Sequence, residues 1–127
     1  MKYLIDTQIL IWSIIDTNKL SKKVLQILKN PANEIDISAV SIWEIAIKTS
    51  IKKLILPFEI KNIVREISRM NISILDINSL HLIKVADLPF HHKDPFDRLI
   101  ISQAIIENIS VISSDNNFKN YDIDLIW

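Results

Sequence analysis

The chain has 127 residues, which suits one compact domain with a hydrophobic core that needs no crosslinks. It contains no cysteine and no glycine, which excludes disulfides, cysteine-based zinc sites and the glycine-rich loops that bind nucleotide phosphates. Its 15 basic and 15 acidic residues give a formal net charge of zero, so any attraction for nucleic acid must come from local patches or from a bound metal. We expect one domain over residues 1–127.

The first half of the chain predicts strands and helices in alternation. The amino terminus is an apolar run interrupted by Asp6, too short to span a bilayer and without a leader cleavage site. We interpret this run as a buried strand of a cytoplasmic protein without membrane contact. Apolar spacing and stop signals then predict the following order. The elements are a strand at Lys2–Ile5 with an apolar continuation, a helix at Lys19–Lys29, a strand at Glu34–Ile37, and helices at Ala39–Ile51 and Phe58–Met70.

The second half continues the alternation. Asp94 and Pro95 suit the cap and the first turn of a helix that runs to Glu107. The other elements are a strand at Ile72–Leu75, a helix at Ser79–Ala86, and strands at Ser110–Ser113 and Ile123–Ile126. Strands separated by helices predict an α/β fold with a mainly parallel sheet. Ligands of such folds bind at the carboxyl ends of the strands.

Four acidic residues fall where this fold can bring them to one edge of the sheet. Asp6 directly follows the first strand, and Asp115 follows a late strand by one residue. Asp97 lies in the first turn of a helix, and Glu44 stands among apolar residues of another. Crowded carboxylates raise one another's pKa values, so a fold tolerates them only with a cation in their midst. Oxygen ligands without cysteine select Mg²⁺ or Mn²⁺.

Each acid also has a purely structural interpretation. Glu44 stands three residues after Ser41, a capping-box spacing, and four before Lys48, a favourable helix pair. Asp97 can serve the positive amino-terminal end of its helix. The other two acids suit turns after strands. Taken singly, the residues leave both interpretations open, and the metal hypothesis depends on their combination.

Four segments resemble the motifs of PIN-domain nucleases, in order and over nearly the whole chain. They are YLIDTQILIW, the Glu of SIWEIAIK, HHKDPFDRLIISQA and ISSDNNF. Within that family the resemblance is to the VapC-type toxins of toxin–antitoxin pairs. It implies a three-layer α/β/α sandwich around a parallel sheet and RNA cleavage that depends on Mg²⁺ or Mn²⁺. It also implies a homodimer and inhibition by a cognate antitoxin that occupies the site.

The resemblance places the catalytic and metal-binding acids of the family at Asp6, Glu44, Asp97 and Asp115. The first and third would be the main metal ligands, and the others would complete the cluster directly or through water. Two positions depart from the commonest pattern. Gln8 stands where His or Asn is frequent, and the serine at 113 stands where Thr is frequent. Both substitutes keep hydrogen-bonding capacity, so we expect changed detail and retained activity.

Several residues have candidate supporting roles. Ser113 is expected to support the site through a hydrogen bond. Asp94 is a second supporting candidate and is expected to cap the helix that begins at Pro95. Arg98 can hold a phosphate with its planar fork, or it can be a solvated residue of the first helical turn. His91 and His92 can touch RNA or a metal, or they can be structural or exposed loop residues.

Lysines and tryptophans leave similar choices. Lys48, Lys52 and Lys53 suit an RNA-binding rim or a solvated face. Trp12 and Trp43 lie in apolar runs, so we expect them in the core and not as platforms for base stacking.

Two other functions remain open at this point. One is a PIN-type nuclease that processes RNA or cuts structured DNA without an antitoxin. The other is a catalytically inactive, receiver-like module that binds metal and a partner. A receiver domain normally carries a lysine after a late strand, and this chain has Asp115 there, which disfavours the second alternative.

Overall fold

The computed structural model describes residues 1–127 as five strands and six helices. The strands are β1 (Lys2–Ile5), β2 (Glu34–Ser38), β3 (Ile72–Leu75), β4 (Ser110–Ile112) and β5 (Leu125–Ile126). The helices are α1 (Thr7–Ile15), α2 (Lys22–Lys29), α3 (Ala39–Ser50), α4 (Ile63–Arg69), α5 (Ser79–Asp87) and α6 (Pro95–Glu107). None of the helices combines the length and apolar character needed to cross a lipid bilayer.

All five strands are parallel and form one sheet in the order β3-β2-β1-β4-β5. This confirms the predicted α/β class and the parallel sheet. Because the strands run in one direction, their carboxyl ends meet at one edge. The central strand β1 ends at Ile5, directly before Asp6, so this acid enters the middle of that edge.

Two apolar cores lie on opposite faces of the sheet, because successive side chains of a strand point to opposite sides. Tyr3 and Ile5 belong to one core, which α1, α2 and α4 cover. Leu4 belongs to the other, which contains the buried face of α6 and the ring of Phe118. Helices therefore cover both faces, which confirms the three-layer α/β/α sandwich.

The interpretation of the amino-terminal run as one buried strand is wrong beyond Ile5, because the chain turns into α1 at Thr7. The side chain of Asp6 caps this helix by accepting a 2.8 Å hydrogen bond from the backbone N–H of Ile9. After Gln8, every residue of α1 except Ser13 is apolar, so the sequence carries no helical period there. The cap was the only local signal for the helix.

Other predicted boundaries shift because of local caps. The second helix begins at Lys22 and not at Lys19, because the hydroxyl of Ser21 accepts from the N–H of Val24 at 3.1 Å. The helix predicted at Phe58–Met70 begins with a short 3₁₀ turn and becomes α-helical only at Ile63. The last strand is shorter than predicted and starts at Leu125.

Candidate metal centre

A cleft of about 400 Å³ opens at the carboxyl edge of the sheet. The four predicted acids all line it. Asp94 also lines it, whereas Lys48 is the single basic residue of the lining. Five carboxylates therefore face one lysine. The full lining is Asp6, Thr7, Gln8, Ile11, Trp12, Glu44, Lys48, Asp94, Asp97, Ser114 and Asp115.

Asp6 is the most buried acid of the cleft, with 4% of its surface exposed. One carboxylate oxygen caps α1, and the other accepts a short hydrogen bond from the hydroxyl of Ser113. The same serine oxygen accepts from the backbone N–H of Asp115 at 3.0 Å. Ser113 thus joins two of the predicted acids, in keeping with the supporting role expected for it.

The pKa of the Asp6 carboxyl is raised from its ordinary value of 3.8 to about 6. Burial is the main cause, because it disfavours the ionised form. The hydrogen bonds from Ser113 and Ile9 lower the pKa, and the negative charges of Asp115 and Glu44 raise it further. The fold therefore holds Asp6 against two nearby acids with no basic side chain to balance it.

Asp97, in the first turn of α6, also has a carboxyl with a raised pKa. The pKa of its carboxyl is raised to about 7, chiefly by burial and further by the charges of Asp94 and Asp6. His92 opposes this rise, since its Nε2 lies 2.9 Å from Oδ2 of Asp97. Asp94 caps α6 by accepting from the backbone N–H groups of Phe96 at 2.8 Å and Asp97 at 3.2 Å.

Glu44 is held by an ion pair within its own helix, and the backbone of Asp115 is held by Ser113. An ion pair of 3.0 Å joins Glu44 to Lys48, so the helix pair considered from the sequence does form. The capping box with Ser41 does not form, because Ser38 caps α3 and Ser41 instead accepts a buried hydrogen bond from Thr7. The structural and the functional interpretations of Glu44 are thus compatible, since the pair still lines the cleft.

The ligand atoms that approach one another most closely come from His92, Asp94 and Asp97 and lie within 4.8 Å. No three of the four predicted acids reach that spacing, although all four share the cleft. Sequence reasoning treated His92 as a minor candidate, because nothing in the order of residues shows that its ring folds back onto Asp97. The catalytic roles of these residues remain predictions.

Arg98 differs from both expectations, because it is neither solvated nor in the cleft. It is 6% exposed, and its guanidinium donates to the carbonyl oxygens of Pro89 at 3.0 Å and Val85 at 3.1 Å and to the hydroxyl of Tyr121 at 3.2 Å. The ring of Phe90 lies 4.4 Å from it. Arg98 therefore fastens the loop before α6 to the body of the protein.

The prediction that both tryptophans lie in the core is wrong for Trp43, which is 62% exposed. Trp12 is half-buried and lines the cleft. Lys52 and Lys53 are exposed and lie outside the lining, so only Lys48 of the three lysines reaches the cleft.

Gln8 lines the cleft and is exposed. His91 is exposed, and its ring stacks edge-on against Tyr121 with centroids 5.1 Å apart. Of the two adjacent histidines, only His92 approaches an acid of the cleft.

The family model of the PIN domain matches residues 3–124. Among solved structures, VapBC2 from Rickettsia felis bound to a DNA fragment from its promoter contains a chain with a TM-score of 0.72 and 21% identity, covering 99% of this chain and 98% of that chain. VapBC-1 from nontypeable Haemophilus influenzae gives 0.70 and 17%, with 99% and 97% covered. A toxin–antitoxin complex from Klebsiella pneumoniae gives 0.63 and 18%, with 98% and 96% covered. At these identities the likeness shows the fold. A search of curated protein sequences finds no match.

Proposed function

Since the chain belongs to the PIN-domain family, whose members are nucleases, we propose that it is an endoribonuclease that uses Mg²⁺ or Mn²⁺ and acts as the toxin of a toxin–antitoxin pair. The observation that carries this proposal is the acid-lined cleft. Five carboxylates line it with one lysine, and Glu44 already pairs with that lysine. Such a cleft repels a phosphate backbone unless a cation reverses the local field.

The residues present fit a divalent ion. Burial and neighbouring acids raise the pKa values of Asp6 and Asp97, which marks uncompensated negative charge, and the available donors are hard oxygens. Asp6 and Asp97 would hold the ion, with Glu44, Asp115 and Asp94 completing the site. When bound, the ion would activate a water and offset charge on the attacked phosphate.

The chain's own contacts prepare these ligands. Ser113 fixes one oxygen of Asp6, and the N–H of Ile9 fixes the other, so the carboxylate keeps one orientation. His92 does the same for Asp97. Such outer contacts orient ligating carboxylates, and their loss typically weakens metal sites by roughly 10–100-fold.

Partners form part of the same proposal. The solved chains that share this fold come from VapBC and other toxin–antitoxin complexes, which supports an antitoxin partner for this chain. We expect a small open reading frame directly upstream whose product relieves growth arrest when it is expressed together with this chain. We also expect a homodimer, which light scattering would measure.

Cleavage of a mixed RNA pool in Mg²⁺ or Mn²⁺ tests the activity. We expect wild-type protein to cut RNA, EDTA to stop it, and Asp6→Asn to lose the metal-dependent cleavage. Asp36→Asn is a matched control, because Asp36 is also a buried acid with a raised pKa but lies outside the cleft. Equal cutting by wild type and Asp6→Asn would refute the assignment. Cutting of structured DNA in preference to RNA would instead favour the alternative nuclease.

A further inference from the structure

We propose that Trp43 and Phe96 form a stacking platform beside the acidic cleft that binds an unpaired base of the RNA. This inference rests on the ribonuclease function proposed above and deepens it by naming how single-stranded RNA is held. Neither residue is an acid of the site, and the sequence placed Trp43 in the core.

The two rings stand on different helices, each next in sequence to an acid of the cleft, and neither ring is among the lining residues. Trp43 directly precedes Glu44 on α3, and Phe96 directly precedes Asp97 on α6, and both of these acids line the cleft. The ring centroids lie 5.2 Å apart with an interplanar angle of 67°, an edge-to-face contact. This contact packs the indole on α3 against the ring on α6.

The indole has a free surface. Its exposed fraction of 62% leaves most of the aromatic side chain accessible to a ligand. Phe96 is partly buried and packs against the apolar core around α6, so it can hold the exposed ring in place. Aromatic side chains with one rigid contact and one free surface are suited to stacking on bases.

Charge explains why such a platform is needed. The formal net charge is zero, and the cleft carries five acids against one lysine, so the protein offers little attraction for a phosphate backbone. Stacking on a base does not depend on charge, because every base has an aromatic face. A base must be unpaired and unstacked to be reached, so the ligand is single-stranded RNA and not a duplex.

Ile55 offers a matched control surface. It is 86% exposed, more than Trp43, but it lies in the loop between α3 and α4 and does not line the cleft. If exposure alone made an apolar residue bind RNA, Ile55 would contribute as much as Trp43.

The binding test uses labelled single-stranded RNA of mixed sequence and the Asp6→Asn background, so that the RNA stays intact in Mn²⁺. We expect Trp43→Ala to weaken binding by roughly 5- to 150-fold, the range for one stacked base. Trp43→Phe, which keeps a ring, should stay within a few-fold, and Ile55→Ala should bind as the parent does. An RNA with abasic sites should bind equally with and without Trp43→Ala.

Cleavage kinetics and the oligomeric mass from light scattering complete the test. In the otherwise wild-type protein, Trp43→Ala should raise KM and leave kcat nearly unchanged, because the reacting groups are untouched. Unchanged RNA affinity in Trp43→Ala would overturn the platform while leaving the nuclease proposal intact. Loss of a dimer in that variant, seen by light scattering, would also overturn it by making Trp43 a subunit contact. Binding through Trp43 by a protein that cuts no RNA would support the platform and refute the nuclease.

Discussion

Two buried aspartates at neighbouring strands differ in their charge partners. Asp36, within β2, faces the ammonium group of Lys2 at 3.5 Å, which lowers the pKa that burial raises. Asp6, just after β1, faces no basic side chain of its own, and the acids Asp115 and Glu44 raise its pKa further. Lys2 therefore partly balances the charge of Asp36, whereas no basic side chain balances that of Asp6. This contrast is what the proposed metal site predicts for Asp6.

Two adjacent residues of α6, Asp97 and Arg98, also point to different surroundings. Asp97 lines the cleft, whereas the guanidinium of Arg98 donates to backbone carbonyls and to Tyr121. Consecutive residues of a helix point in different directions, so the nearest positive charge in sequence does not neutralise Asp97. The cleft thus stays negatively charged because Arg98, although next to Asp97 in sequence, makes its hydrogen bonds elsewhere.

The largest expected effect comes from removing the buried cation. We expect Arg98→Ala to lower the free energy of unfolding by about 3 kcal/mol or more, because it removes three charge-assisted hydrogen bonds, to the carbonyl oxygens of Val85 and Pro89 and to the hydroxyl of Tyr121. Urea denaturation would measure it. The exposed Arg65→Ala serves as control and should change stability by less than about 0.5 kcal/mol. Similar small losses in both variants would show that Arg98 is not a structural anchor.

A second prediction concerns pH in metal-free protein. The pKa of Asp6 is about 6 in the folded state against 3.8 ordinarily, and that of Asp97 is about 7, so the folded protein holds more protons between these values. Stability should be greatest below about pH 4 for these groups and fall as pH rises through 6 to 7. Asp6 alone accounts for about 3 kcal/mol of that loss.

Denaturation of wild type and Asp6→Asn at pH 5 and pH 8 in EDTA checks this sign. The variant should lack the part of the loss that Asp6 contributes and should be the more stable protein at pH 8. The difference between the two proteins reports Asp6 together with its effect on Asp97, whose pKa the charge of Asp6 raises. Parallel pH dependence in the two proteins would contradict the uncompensated charge of the cleft.

The smallest expected effect belongs to the ion pair at Asp36. Lys2 is about half-exposed, so solvent screens its attraction, and Lys2→Met should cost less than about 1 kcal/mol. The cost should shrink in 0.5 M NaCl, which thermal melting at two salt concentrations would show. A larger cost that persists in salt would mean that the pair is held more tightly than its exposure indicates.

Local signals predicted part of this site. Asp94 followed by proline predicts the start of α6, and the alternation of strands and helices predicts the parallel sheet, whose carboxyl edge gathers Asp6 and Asp115. The burial of Arg98 was missed because its acceptors lie at Val85, Pro89 and Tyr121, and no local pattern links these positions.

The exposure of Trp43 and the helix after Asp6 were missed for a related reason. In α1 after Gln8 and around Trp43 in α3, apolar residues occupy most positions, so the sequence has no clear buried face. Only packing against neighbouring elements decides which side of such a helix meets water. Hydrophobic periodicity is informative where polar residues alternate with apolar ones, as in α2.

The direct test of the metal centre is thermal or chemical unfolding of wild type, Asp6→Asn and Asp36→Asn with Mn²⁺ at about 100 times its Kd. We predict a gain of about 2.7 kcal/mol in wild type and in Asp36→Asn, and little or none in Asp6→Asn. Equal gains in all three proteins, or no gain in wild type, would contradict an ion site built on the carboxylates of this cleft.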